Sequence, residues 1–306
     1  GARWCMETIM YGSWMWAAPL YRLTGRIEAA KAFSIPLMIA AGLTVFGCLL
    51  LATTVRPWIA VSLAVVAAAN PVSLVQLLNF YQDGALASLF TICAASSALW
   101  AATGSRTGLL LATAAGVGAG AVKFTGPIFV VVLVGAALAW QAWTKARSEL
   151  RAFMVALVLA VPALLLLSGG AYLTNIVRHG HPMYPVFGPD RIAIAEFPPH
   201  HRVQALLTSV VSRSAQPADG ATTIKNLQTW RGIKPPFVFD RDELWVFMSP
   251  WVGVGGWGPL FSGVALIGAM LLIVSAVRRP ARIRWFLVLA VPLVISVLVH
   301  PLCWKA

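Results

Sequence analysis

Between Phe33 and Trp143 the only charged residues are Arg56, Asp83, Arg106 and Lys123. An ionisable group in or beside hydrocarbon is costly, so one that persists there marks a functional site by default. Asp83 lies in Asn79-Phe-Tyr-Gln-Asp-Gly84, where an apolar run resumes. A carboxylate at such a restart can cap the new helix by accepting from free backbone N–H groups. At a water-exposed pocket on a membrane surface it can instead bind a divalent cation or orient an acceptor hydroxyl. Lys123 lies in Ala121-Val-Lys-Phe-Thr-Gly-Pro127. Its long stem can snorkel to the interface, or its ammonium can neutralise a phosphate at headgroup depth. The Gly126-Pro127 break marks a specialised turn beside it.

Other chemistry-bearing residues give weaker signals. His179 and His181 flank Gly180, and an extended chain puts both on one face, as a metal site requires. His200 and His201 follow two prolines. No further cluster completes either pair, so ordinary loop histidines are the simpler reading. Trp230-Arg231-Gly232 and Arg241-Asp-Glu243 suit contact with a sugar or a phosphate, and equally suit interfacial anchoring and a solvated charge run. The cysteines, at 5, 48, 93 and 303, have no CxxC or CxxH spacing, and Cys48 and Cys93 read as small packing residues. No Ser-His-Asp signature, P-loop or dinucleotide fingerprint is present.

The elements that must position Asp83 and Lys123 are membrane helices. The chain is 59% hydrophobic and 11% charged, with a mean hydropathy of +0.80. A soluble domain carries about 25% charged residues. Runs able to cross about 30 Å of hydrocarbon need roughly 20 residues. They fall at about 33–54, 57–79, 84–103, 108–122, 124–143, 152–173, 258–277 and 285–300, which predicts an all-α polytopic bundle of about eight spans. Gly116-Val-Gly-Ala-Gly120 should let neighbouring helices approach closely, and Asn70-Pro71 should kink or unwind the second span. Residues 1–32 read as the end of a first outer loop, 33–174 as a helix bundle, 175–257 as a large outer loop and 258–306 as further helices. Both ends read as cut, which makes the chain a fragment with its first span missing.

Orientation follows from charge. The net charge of +13 has no recognition-helix, zinc-finger or RNA-binding pattern beside it, which excludes nucleic acid as the partner. Arg56, Arg106, the 145–151 turn and the 278–284 turn share one side if the spans alternate, and they hold nine Lys or Arg against the single acid Glu149. By the positive-inside rule that side is cytoplasmic. Asp83 and Lys123 then face outward together. Arg22, Arg26 and Lys31 also fall outside, against the rule, where an anionic lipid headgroup would suit them.

Four segments carry a resemblance. The run from Ala69 to Gly84, containing Asn70-Pro71 and Tyr81-Gln-Asp83, resembles the segment before the second outer acid in multi-pass glycosyltransferases of the C superfamily. That superfamily includes relatives of the protein O-mannosyltransferases and the lipid A aminoarabinose transferases. Lys123-Phe-Thr-Gly126 resembles the Lys-aromatic-Thr turn that follows two helices later. Gly180-His-Pro-Met-Tyr-Pro185 is similar to the element that opens their outer loop, and Leu20–Lys31 resembles the end of the first outer loop.

The resemblance implies a bacterial inner-membrane enzyme that moves a sugar from a polyprenyl-phosphate carrier to a glycan, lipid or protein acceptor. Asp83 would be catalytic, holding the acceptor or a divalent cation. Lys123, with Tyr81, Arg22, Arg26 and His181, would bind substrate. Members commonly carry a further acid in the first outer loop, and nothing marks Glu7 as that residue. The rival expectation is a transporter or flippase subunit for a lipid-linked or amphipathic substrate. It requires a polar path through the membrane, which these spans have almost no charge to line.

Overall fold

The computed structural model describes residues 12–78, 82–123, 126–144, 147–182, 184 and 258–278. Every regular element among them is helical. In chain order they are α1 (Gly12–Thr24), α2 (Ile27–Ala30), a 3-10 turn (Lys31–Phe33), α3 (Ser34–Ala52), α4 (Pro57–Ala68), α5 (Pro71–Val75), α6 (Gln82–Thr103), α7 (Arg106–Val122), α8 (Gly126–Thr144), α9 (Arg147–His179) and α10 (Gly258–Arg278). The chain divides into two units, with α1 to α9 in the first and α10 in the second.

Four stretches are long and apolar enough to cross a membrane: Ile27–Ala52, Gln82–Thr103, Gly126–Trp143 and Leu150–His179. α4 and α7 are apolar but shorter. The expected second span is interrupted where Asn70-Pro71 stands. α4 stops at Ala68, and the Asn70 side chain accepts from the Ser73 N–H at 3.0 Å to start α5 afresh. Pro71 occupies the first helical position, where its missing N–H costs nothing. α9 runs 33 residues to His179 rather than ending near 173. At 1.5 Å per residue it is about 50 Å long, so it outreaches the hydrocarbon layer. The expected span at 285–300 lies outside the described residues.

Packing follows the rule for helices in lipid, where no hydrophobic force joins them and close backbone approach must do the work. The interior is made of small residues: Ala41, Ala60, Ala85, Ala112, Ala119 and Ala137 are buried. Large aliphatics such as Leu43, Leu51, Val131 and Leu166 point outward. On α7 the glycine run meets three different helices. A Cβ added at Gly116 would meet Val130 of α8, one at Gly118 would meet Leu89 of α6, and one at Gly120 would meet Leu164 of α9. Several threonine hydroxyls within the spans turn back on their own helices, as Thr44, Thr91 and Thr113 do onto the carbonyls four residues earlier. That leaves few polar groups to be solvated by lipid.

Candidate functional site

α6 and α7 pack side by side, joined by the tight turn at Gly104-Ser105. The start of α6 therefore lies beside the end of α7. Asp83 is the second residue of α6 and Lys123 is the C-cap of α7, with extended backbone. Their side chains form an ion pair, Lys123 Nζ donating to Asp83 Oδ1 across forty residues of sequence. Both remain partly open, at 34% exposure for Asp83 and 41% for Lys123.

Beneath the pair lies a buried polar scaffold. The first N–H groups of a helix have no partner within it. At Gly84 that partner is Gln76, whose Oε1 accepts from the Gly84 N–H at 2.7 Å. Ser73 and Ser88 hydroxyls both donate to the Gly84 carbonyl at 3.2 Å, and Asn70 Nδ2 donates to Ser73 Oγ at 2.9 Å. Ser73, Gln76 and Ser88 are all buried. Gly84 is required here because an added Cβ would stand 2.9 Å from Gln76 Cβ and 3.2 Å from the Val72 carbonyl. The short helix α5 thus docks directly on the start of α6, and the cap that Asp83 was a candidate to supply is provided at Gly84 by Gln76.

The turn holding Lys123 is equally tight. Its N–H donates to the Ala119 carbonyl at 3.1 Å, and the Gly126 N–H donates to the Lys123 carbonyl at 2.8 Å. From α9, the Tyr172 hydroxyl donates to the Gly120 carbonyl at 2.9 Å, which ties α9 to α7 one turn before Lys123. One turn further along α9, the buried Asn175 donates to the Tyr184 carbonyl at 3.0 Å. Gly180, with φ of 66°, reverses the chain there, and Tyr184 folds back to stack on His179 at 3.6 Å between ring centroids.

The remaining expected site residues are distributed as follows. Arg22 ends α1 and Arg26 precedes α2, both exposed. His181 is half-buried, and its carbonyl accepts from the Tyr184 N–H at 3.2 Å. None of these three bonds to Asp83 or Lys123. Tyr81 and the histidines at 200 and 201 lie outside the described residues. Among the described residues no three His, Cys, Asp or Glu side chains cluster as a metal site. Asp83 is the carboxylate of this site, and its Oδ1 already takes the lysine. A hard cation takes six or more oxygen ligands, which these residues do not supply by themselves.

Sequence reasoning missed Ser73, Gln76, Ser88, Tyr172 and Asn175. The signal that could have found them is an amide or hydroxyl inside an apolar run beside a helix restart, where a backbone N–H or carbonyl needs a partner. Compared with known protein families, curated proteins and solved structures, the chain matches none.

Proposed function

We propose that this chain is a membrane glycosyltransferase that moves a sugar from a polyprenyl-phosphate carrier to an acceptor at the outer face of a bacterial cytoplasmic membrane. The observation that carries the reading is the Asp83–Lys123 pair, an anion and a cation held at the ends of adjacent apolar helices over a buried polar scaffold. The resemblance of the segments around both residues to the C superfamily supports the same reaction class.

In this reading Lys123 exchanges the Asp83 carboxylate for the carrier phosphate. The acceptor oxygen attacks the anomeric carbon as its proton passes to the Asp83 carboxylate, the bond from that carbon to the phosphate oxygen breaks, and the electron pair leaves on the phosphate. The ammonium stabilises that added charge, a term that is large in a water-poor site. Asp83, released from the lysine, holds the acceptor hydroxyl in line for attack. The exchange is cheap because partly exposed ion pairs contribute only about 0–1 kcal/mol.

The test is transfer by purified full-length protein supplied with a lipid-linked sugar. Asp83→Asn keeps the shape and deletes the charge. A fall of about a hundredfold, or roughly 2.7 kcal/mol of transition-state stabilisation, is expected while the protein stays folded. Lys123→Met should weaken carrier binding, and Lys123→Arg should retain part of it because the charge remains. Full transfer in both Asp83→Asn and Lys123→Met would refute the proposal.

A further inference from the structure

The segment ahead of the first long span carries an unusual surface. α1 has 13 residues with Pro19 inside it. Its described residues span about 20 Å, against about 30 Å of hydrocarbon. One side faces the bundle: Ala17 is buried in the cluster that includes Ala85, Leu86, Ala119 and Val122, and Leu20 packs against it. The rest of its surface carries large apolar side chains. Met15, Tyr21 and Leu23 are 46%, 50% and 83% exposed, and Trp14 and Ile27 are exposed as well. Soluble surfaces avoid contiguous apolar patches of this kind. The charges that interrupt it are the guanidinium groups of Arg22 and Arg26. The one acid between residues 12 and 33, Glu28, is already held by Lys31.

We propose that α1 and the turn after it form a docking surface for anionic phospholipid, lying in the headgroup layer. Three observations single out that occupant. The aromatic and aliphatic exposure suits the boundary between headgroups and acyl chains, where Trp and Tyr concentrate. Two guanidinium groups with no ion-pair partner among the described residues complement lipid phosphates, which they can grip with paired N–H donors. The chain passes from Arg26 through Glu28 and Lys31 into the apolar run that ends at Ala52, which keeps the arginines within a few residues of a candidate span. Ala17 ties α1 to the same packed cluster as residues of α6 and α7, so the surface is anchored on the bundle. The surface stands whatever reaction the ion pair performs, and it separates these arginines from the carrier.

The test uses the full chain with its four cysteines replaced by alanine and a bimane label at Ala18→Cys, an exposed position on α1. The protein is reconstituted in phosphatidylcholine vesicles containing a trace of spin-labelled phosphatidylglycerol, spin-labelled phosphatidylcholine or spin-labelled polyprenyl phosphate. Two arginines at a lipid surface correspond to roughly a 30-fold preference for the anionic lipid. Quenching by phosphatidylglycerol should therefore greatly exceed quenching by phosphatidylcholine. Arg22→Gln with Arg26→Gln should erase the difference, and Arg22→Lys with Arg26→Lys should keep most of it. If the glutamine variant fails to fold, salt decides: screening must reduce the preference in the unsubstituted chain, and a salt-insensitive preference overturns the proposal. Equal quenching by the two phospholipids overturns it. So does quenching by neither, which means protein covers α1, or by the polyprenyl phosphate alone, which returns the arginines to the carrier.

Discussion

The geometry of the Lys123 turn depends on one hydrogen atom at Gly126. An added Cβ there would lie 2.5 Å from the Ala119 carbonyl carbon and 3.0 Å from the Gly120 nitrogen, and closer still to the Ala119 oxygen. These are backbone atoms with no flexible end to yield. The same Ala119 oxygen accepts from the Lys123 N–H, so Gly126→Ala must open the turn that aims Lys123 at Asp83. Overpacking costs about 1–3 kcal/mol, and the backbone contact puts this case at the upper end. About 3 kcal/mol is roughly a 150-fold change in the folded-to-unfolded ratio. Gly135, in the same helix, has nothing within 4 Å of an added Cβ, so Gly135→Ala should be neutral or stabilise by up to about 1 kcal/mol. Unfolding in detergent gives the stability. Carbodiimide coupling, which joins a paired lysine and aspartate as an amide, reads the Asp83–Lys123 contact by mass spectrometry. Stability and coupling should both fall in Gly126→Ala and hold in Gly135→Ala. Equal behaviour of the two variants would refute the packing argument.

The same substitution at two buried glutamines should have unequal effects. Gln76→Leu strips the Gly84 N–H of its acceptor and leaves a buried donor unsatisfied, a loss of about 1–3 kcal/mol measured by unfolding in detergent. Gln141 donates to the Trp100 carbonyl, which also accepts from the Gly104 N–H at 2.8 Å, while its own Oε1 is buried without a partner. Gln141→Leu removes that orphan but also the amide that donates to the buried Ala101 carbonyl at 3.4 Å, so its loss should be smaller than that of Gln76→Leu; an equal or larger loss would contradict this. If the helices cross a membrane in alternation, Ser105 and Arg178 fall on opposite sides of it. Single cysteines at these positions, in a background lacking native thiols, should react with an impermeant maleimide from opposite faces, and labelling from one face would overturn the alternation.

How much of this was legible in the sequence depends on the physical signal each element leaves. Apolar length is a strong signal, and α3, α6, α8 and α9 stand where hydropathy puts them. Backbone chemistry is nearly as strong: Asn70-Pro71 breaks its span because Pro removes a donor and Asn replaces it with a cap. The glycine run on α7 announces close approach, and three neighbours use it. Charge alternation alone brought Asp83 and Lys123 to one end of the bundle, and the ion pair agrees. Other features left little trace. α9 ran past its expected stop to a C-terminus closed by the Gly180 N–H, which donates to the Ile176 carbonyl at 2.9 Å where the chain turns, and hydropathy does not register such a backbone contact. The scaffold under Asp83 is built from Ser73, Gln76 and Ser88, common residues that become informative only once the chain folds back on itself.

This arrangement separates what holds the site from what acts in it. The buried amide and hydroxyl contacts at Gly84 are expensive to lose, because lipid and apolar side chains offer no replacement partner. The ion pair above them is cheap to lose, because water reaches both members. A pair that was fully buried would resist exchange, since removing one partner would strand the other charge at a cost of about 3–5 kcal/mol. A pair fully in solvent would not hold its geometry. Partial exposure over a rigid base lets each charge be offered to a ligand without disturbing the helices that carry it. For that reason Asp83→Asn and Lys123→Met can report on chemistry, while Gln76→Leu and Gly126→Ala report on the base, and the two groups of variants should divide cleanly between loss of transfer and loss of fold.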